Sequence, residues 1–180
     1  LRQDVAAARR TVERSYTLAQ VQESLRMART ERPYFTPGFS LSVPLQHASR
    51  NVLKLMKRGG TRESLERLIE RVREKVPGIA IRTTFITGFP GETDDDFEEL
   101  IKFVQNCRFD NVGVFTYSDE EGTAAYDLPN KVDPKVAKQR RNRLMKEQAK
   151  ISRQLNKAKI GKTFKVLFEG LSQESDLLFQ

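Results

Sequence analysis

The feature that most constrains this chain is an alternation of two hydrophobic periods along residues 39–157. Residues 39–43, FSLSV, set Phe39, Leu41 and Val43 between serines, the period-two pattern of a strand. Residues 62–76 place Leu65, Leu68, Ile69, Val72 and Val76 at i, i+3, i+4, i+7 and i+11, one face of an amphipathic helix. Residues 79–87, IAIRTTFIT, form a β-branched run that reads as a buried strand. A second helix follows, with Phe97, Leu100, Ile101 and Val104 facing inward, and then a third strand over Asn111–Tyr117. A long helix opens at Asp133 and Pro134, with Leu144, Met145, Ile151 and Leu155 as its apolar side. Strands alternating with helices predict an α/β fold, a parallel sheet joined by crossover helices. Three parallel strands leave both sheet edges open, so the stretch is expected to be a piece of something larger.

The punctuation agrees with this order. Ser49 is placed to cap a short helix over 50–58, with Val52, Leu53 and Met56 buried, and Gly59–Gly60 end it. Thr61 caps the next helix, which Pro77 and Gly78 stop. Thr93 caps the third and forms a Thr-x-x-Asp box with Asp96, while Asp94, Asp95 and Asp96 sit at the positive end of its dipole. Residues 1–30 suggest a helix, residues 31–38 a break, and the tail a strand, turn and strand.

Composition matters here for what it excludes. No run approaches the roughly 18 apolar residues of a membrane span. The first residues carry no apolar signal core, and the single cysteine, Cys107, rules out a disulfide framework. A cytoplasmic, non-membrane protein is expected. Cys107 itself reads as a small buried hydrophobe. The net charge of +8 is concentrated: residues 134–159 alone carry +9, ten lysines and arginines against Glu147. A basic helix of this kind is either a solvated face or a surface for RNA.

In α/β folds, ligands gather at the C-terminal ends of the strands. Gln46 and His47 follow the first strand, Gly88–Glu92 the second, and Tyr117 and Ser118 the third. His47, the only histidine, is as readily structural as functional, and Gln46 can both donate and accept. The turn GFPGET is not a Walker loop, because no Gly-Lys-Ser/Thr follows; it reads as a tight turn that lets a neutral or zwitterionic ligand approach the backbone. Arg82 shares a face with Thr84, Ile86 and Gly88, and an arginine in an apolar strand calls for an acidic partner, from a ligand or from the scaffold. No metal-ligand spacing, nucleophilic triad or paired carboxylate stands out.

The runs VPLQHASRNVLKLMKRGGTRESLERLIERVREKVPGIAIRTTFITGFPGETDDDFEELIKFV and NVGVFTYSDEEGTAAYDLP resemble the radical S-adenosylmethionine (SAM) methylthiotransferases of the RimO and MiaB type. The resemblance covers about residues 43–180, and FTYSDEEGT with DLP is closer to the ribosomal-protein branch than to the transfer-RNA branch. It implies the last three strands of a TIM-like, incomplete β/α barrel over 39–158. Residues 159–180 would begin a TRAM β-barrel, and residues 1–38 are a helical segment outside the resemblance. Such enzymes use SAM and two 4Fe-4S clusters. One cluster reductively cleaves SAM to a 5′-deoxyadenosyl radical, which abstracts hydrogen before a methylthio group is installed. In the leading branch the target is an aspartate β-carbon of a small-subunit ribosomal protein; the alternative is a transfer-RNA adenosine. By position, Gln46 and His47 would line the SAM and substrate side, Arg82 and Thr84 would hold the polar end of SAM, Gly88, Phe89 and Pro90 would shape the adenosine pocket, and Tyr117 would close the rim. A radical cluster needs a Cys-x-x-x-Cys-x-x-Cys loop, which this chain lacks. The expectation is therefore a fragment inactive by itself, or a non-enzymatic module that binds RNA or ribosomes through the basic helix.

Overall fold

A computed structural model describes residues 40–163, 171–172 and 175–179. The expected helix over 1–30 and break at 31–38 lie outside these residues. Three strands, β1 (Ser40–Gln46), β2 (Ala80–Thr87) and β3 (Asn111–Thr116), form one parallel sheet in the order β1-β2-β3. The helices α1 (Arg50–Leu55) and α2 (Arg62–Lys75) link β1 to β2, and α3 (Asp94–Cys107) links β2 to β3. The long α4 (Pro134–Lys157) returns against β3, β2 and α3. Beyond it, β4 (Leu171–Ser172) and β5 (Ser175–Phe179) pair antiparallel. Thus the predicted α/β order is observed.

Helix entry is fixed by the anticipated caps. The Thr61 hydroxyl accepts from Ser64 N–H and the Ser64 hydroxyl from Thr61 N–H, a reciprocal box. Thr93 and Asp96 make the same exchange at α3. The carbonyls that end α3 are satisfied from a neighbour: Arg73 of α2 donates to the carbonyls of Cys107 and Arg108. The short α1 stops at Leu55, three residues before the expected end, because Lys57 turns into the left-handed region at φ 55°. Met56 is consequently only half-buried. Strand β1 runs past Pro44 to Gln46, which a proline permits on an edge strand.

The core lies on one side of the sheet. Val43, Ile81, Phe85 and Val114 project from it onto Leu68, Ile69 and Val72 of α2, Leu100 and Val104 of α3, and Leu144 and Ile151 of α4. Phe85, Phe103 and Phe109 meet edge to face or tilted, with centroids 5.6–6.1 Å apart. Two expectations fail here. Strand β2 is buried on one face only: Ile81, Thr83, Phe85 and Thr87 are covered, whereas Arg82 is exposed and Thr84 and Ile86 are half-covered. The helices occupy a single layer, so alternate residues emerge on a bare face. Met145 does not join the apolar side of α4 and is 38% exposed.

Candidate functional site

The bare face and the strand ends meet the candidate residues in two different ways. By register, Arg82 pairs with Ser42 and Asn111, Thr84 with Gly113, and Ile86 with Phe115. These residues form the uncovered wall, and Phe115 is 62% exposed on it. Arg82 makes no ion pair with any described residue, so the expected scaffold partner is absent among them. Its guanidinium is left facing outward from the wall with Thr84 two residues along the same strand.

The strand ends are built more tightly than the sequence suggested. At the end of β1 the register shifts between Val43 and Gln46, and Gln46 adopts φ 70°, an uncommon conformation for a side chain of its size. That turn swings His47 inward, where it is fully buried. Its Nδ1 accepts from Ser49 N–H at 3.0 Å, so the neutral ring carries its proton on Nε2. Nε2 points toward Glu92 Oε1 at 3.9 Å, too far for a hydrogen bond.

Glu92, which sequence reasoning placed at the rim without a role, is the centre of the turn. Its side chain is wholly buried, and Oε2 accepts from Gly88 N–H and, at 3.2 Å, from Phe89 N–H. The amides offered by GFPGE are therefore taken by the chain's own carboxylate, and no anion from outside needs to be invoked. Arg140 of α4 brings the countercharge. Its Nη1 lies 3.4 Å from Glu92 Oε1 and donates to the Glu92 carbonyl at 3.1 Å, while Nη2 donates to Asp94 at 2.7 Å. Within a basic run, nothing in the sequence distinguished Arg140 from its neighbours. The acid four residues after Gly88 was the available signal for Glu92.

The glycines of the turn are dictated by packing. At Gly88 (φ +79°) a Cβ would fall 2.3 Å from the Ala137 Cβ, so α4 sits where a side chain would be. Gly91 N–H donates to the Asn130 carbonyl at 2.9 Å, and Pro90 is buried beneath the same closure. A second buried carboxylate, Asp96, ties the start of α1 to this turn. It accepts from Ser49 Oγ, from Asn51 Nδ2 at 2.9 Å, and from Thr93 N–H at 2.9 Å and Oγ1 at 2.7 Å. Burial alone would raise its pKa, but hydrogen bonds from Ser49, Thr93 and Asn51 outweigh it and hold the carboxyl below its ordinary value.

On the β3 side, the Tyr117 ring stands edge-on to Phe89, centroids 5.1 Å apart. Lys131 lies 5.6 Å from the Tyr117 ring and 5.3 Å from that of Tyr126, and it pairs with Asp119. Burial, with the Asp119 carboxylate beside it, pushes the Tyr117 phenol up to about 12. Next to Tyr117, an open cleft of about 270 Å³ is lined by Thr116, Tyr117, Pro134, Ala137, Lys138 and Arg141. The structure thus leaves Gln46 and Tyr117 half-buried at the strand ends, with Phe89 buried behind Tyr117, and keeps Arg82 and Thr84 on the wall. His47, Gly88 and Pro90 stand behind the rim as its support.

Neither the wall nor the rim offers iron a home. The chain has one cysteine, Cys107, at the end of α3 and therefore at the opposite end of the sheet from the rim. It is buried, and burial, with Glu66 adding to it, raises its thiol to about 12, which keeps it protonated and a poor metal ligand. No group of three or more metal-binding side chains occurs among the described residues. Arg82, exposed on the wall, presents a cation that a carboxylate-bearing ligand can meet.

An open wall of parallel strands with helices on one side matches part of a radical SAM enzyme's fold. Residues 36–104 match the radical SAM superfamily. In fold, the chain is similar to coproporphyrinogen III oxidase (HemN) from Escherichia coli, a radical SAM enzyme, with a TM-score of 0.53 at 23% identity, over 73% of this chain and 29% of that one. Over most of its length the chain is homologous to RimO, the ribosomal protein uS12 methylthiotransferase. It is 54% identical to the protein of that name from Solibacter usitatus over 78% of this chain and 30% of that protein. For those from Trichlorobacter lovleyi and Clostridioides difficile, identity is 48% over 78% of this chain and 52% over 71%, covering 31% and 29% of the relatives. The chain spans about 30% of the length of the curated relatives it matches. No helix among the described residues is long and apolar enough to cross a membrane.

Proposed function

We propose that this chain is the C-terminal part of the catalytic barrel of a radical SAM methylthiotransferase. Its substrate would be an aspartate of a small-subunit ribosomal protein, modified at the β-carbon. The observation that carries this reading is the bare sheet face, with Arg82 exposed and Thr84 beside it on a wall matching that of a radical SAM enzyme. Arg82 would receive the SAM carboxylate, and Thr84 would hydrogen-bond its polar end. Gln46 would border the substrate side, while Tyr117, backed by the buried Phe89, would supply the aromatic edge for the adenosine. His47, Gly88 and Pro90 would fix the turn that carries Phe89. SAM, when bound at a reduced cluster, supplies the radical chemistry. The two 4Fe-4S clusters do not fit the residues present, so their ligands would come from sequence outside these 180 residues, and the chain alone would not cleave SAM. The hairpin of β4 and β5 is read as the opening of a TRAM-like barrel.

The test is a methylthiolation assay on the complete enzyme carrying this segment, with the ribosomal protein and transfer RNA offered separately. Methylthio addition to an aspartate of the protein, detected by mass spectrometry, is the expected result. Modification confined to transfer-RNA adenosine would move the chain to the other branch.

A further inference from the structure

The basic residues of α4 divide into two sets that differ in what they touch. Arg140 is buried on Glu92, Arg141 donates to the Val114 carbonyl at 3.0 Å, Arg143 pairs with Glu98, and Lys150 pairs with Glu147. Those four are spent inside the molecule. Lys135, Lys138, Lys146, Arg153 and Lys157 are exposed, and none makes an ion pair with a described residue. The steps between them, 3, 8, 7 and 4 residues, are each close to whole helical turns, so the five share one face. That face is opposite Ala137, Leu144 and Ile151, which anchor α4 to the core. At 1.5 Å per residue the stripe runs about 33 Å along the helix. No carboxylate lies on it. Asn142 lies within it, and Lys138 also lines the cleft beside Thr116 and Tyr117.

We infer that this stripe is a track for the phosphodiester backbone of a nucleic acid, leading to the rim at the end of β3. Protein interfaces have apolar centres and are depleted in lysine, whereas phosphate contacts are made by lysine, arginine and amide side chains, as here. An anionic membrane is a poorer occupant, because the apolar side of α4 is buried in the core and Met145 alone of its large apolar side chains is exposed, too little to enter a bilayer. The open cleft beside Lys138 adds a concave end to the stripe.

The test is fluorescence anisotropy with a labelled single-stranded RNA and its DNA counterpart, titrated with the full chain over a series of salt concentrations. A variant carrying Lys135→Ala, Lys138→Ala, Lys146→Ala, Arg153→Ala and Lys157→Ala is compared with one carrying Lys54→Ala, Arg67→Ala, Arg71→Ala, Lys75→Ala and Lys102→Ala. Both sets are exposed and lower the net charge equally. Expected are binding that weakens steeply with salt, at least about a tenfold loss in the stripe variant, a shallower salt slope, and little change in the control. Binding of RNA and DNA alike, or of RNA in preference, supports the track. No binding at low salt, equal losses in both variants, or binding to phosphatidylserine vesicles without binding to either oligonucleotide would overturn it.

Discussion

Arg140 of α4 is clamped on Glu92 of the β2 turn, its Nη1 3.4 Å from the carboxylate and donating to the Glu92 carbonyl at 3.1 Å. Glu92 in turn holds the amides of Gly88 and Phe89. The long helix and the turn that carries the candidate rim are therefore one electrostatic unit. Removing the arginine leaves a fully buried carboxylate without its cation, at a cost of about 3–5 kcal/mol. Arg140→Met should lower the urea midpoint accordingly, and adding Glu92→Gln should restore part of the loss. An Arg140→Met protein as stable as the parent would mean the clamp carries no weight.

Gly88 makes a sharper steric prediction. A methyl group there meets Ala137 at 2.3 Å and must also adopt φ +79°. Gly88→Ala should destabilise by roughly 1–3 kcal/mol, seen as a lower thermal midpoint. Gly122→Ala, at φ +79° with open space around it, should isolate the conformational part of that cost.

Acid stability should depend on Asp96. Its folded pKa is depressed, so it contributes stability that is fully present above its unfolded pKa and is lost as pH falls through the folded value. Asp96→Asn should flatten the fall of the urea midpoint below about pH 4, the ordinary carboxylate range. It should also weaken the tie to Ser49 and Asn51, by about 1–2 kcal/mol at neutral pH if the effect resembles loss of a helix cap. An unchanged acid limb would assign the sensitivity to other carboxylates.

Much of the fold was legible because it is local. The caps at Ser49, Thr61 and Thr93, the apolar spacing of α2, and the break at Pro77–Gly78 are encoded within a few residues, and each was read correctly in kind. What could not be read is long-range. Sequence patterns do not reveal that β2 has helices on one side only, so they left open a ligand or a scaffold acid as the partner of Arg82, and no described scaffold acid pairs with it. Likewise Glu92 and Arg140 are 48 residues apart, and no periodicity joins them. The basic run of α4 looked uniform, yet Arg140, Arg141 and Arg143, which sequence reading would group with the RNA-facing cations, prove to be scaffold residues.

Because Arg82 is exposed, it can be changed without disturbing the core. In the complete enzyme carrying this segment, Arg82→Met should weaken SAM binding about tenfold or more, the size of one charge-assisted hydrogen bond, with no change in thermal midpoint. Equilibrium dialysis with labelled SAM reads the first quantity and calorimetry the second. Unaltered SAM affinity would remove Arg82 from the site.

The central claim is that this chain supplies the wall proposed to meet SAM, with no group of three or more metal-binding side chains among its described residues. Anaerobic reconstitution of the chain with iron and sulfide, followed by an assay for reductive cleavage of SAM to 5′-deoxyadenosine, tests it most directly. The account predicts no bound cluster, no 5′-deoxyadenosine, and a Cys107 thiol that stays unreactive until the protein unfolds. A stable cluster with SAM cleavage by these 180 residues alone would contradict it.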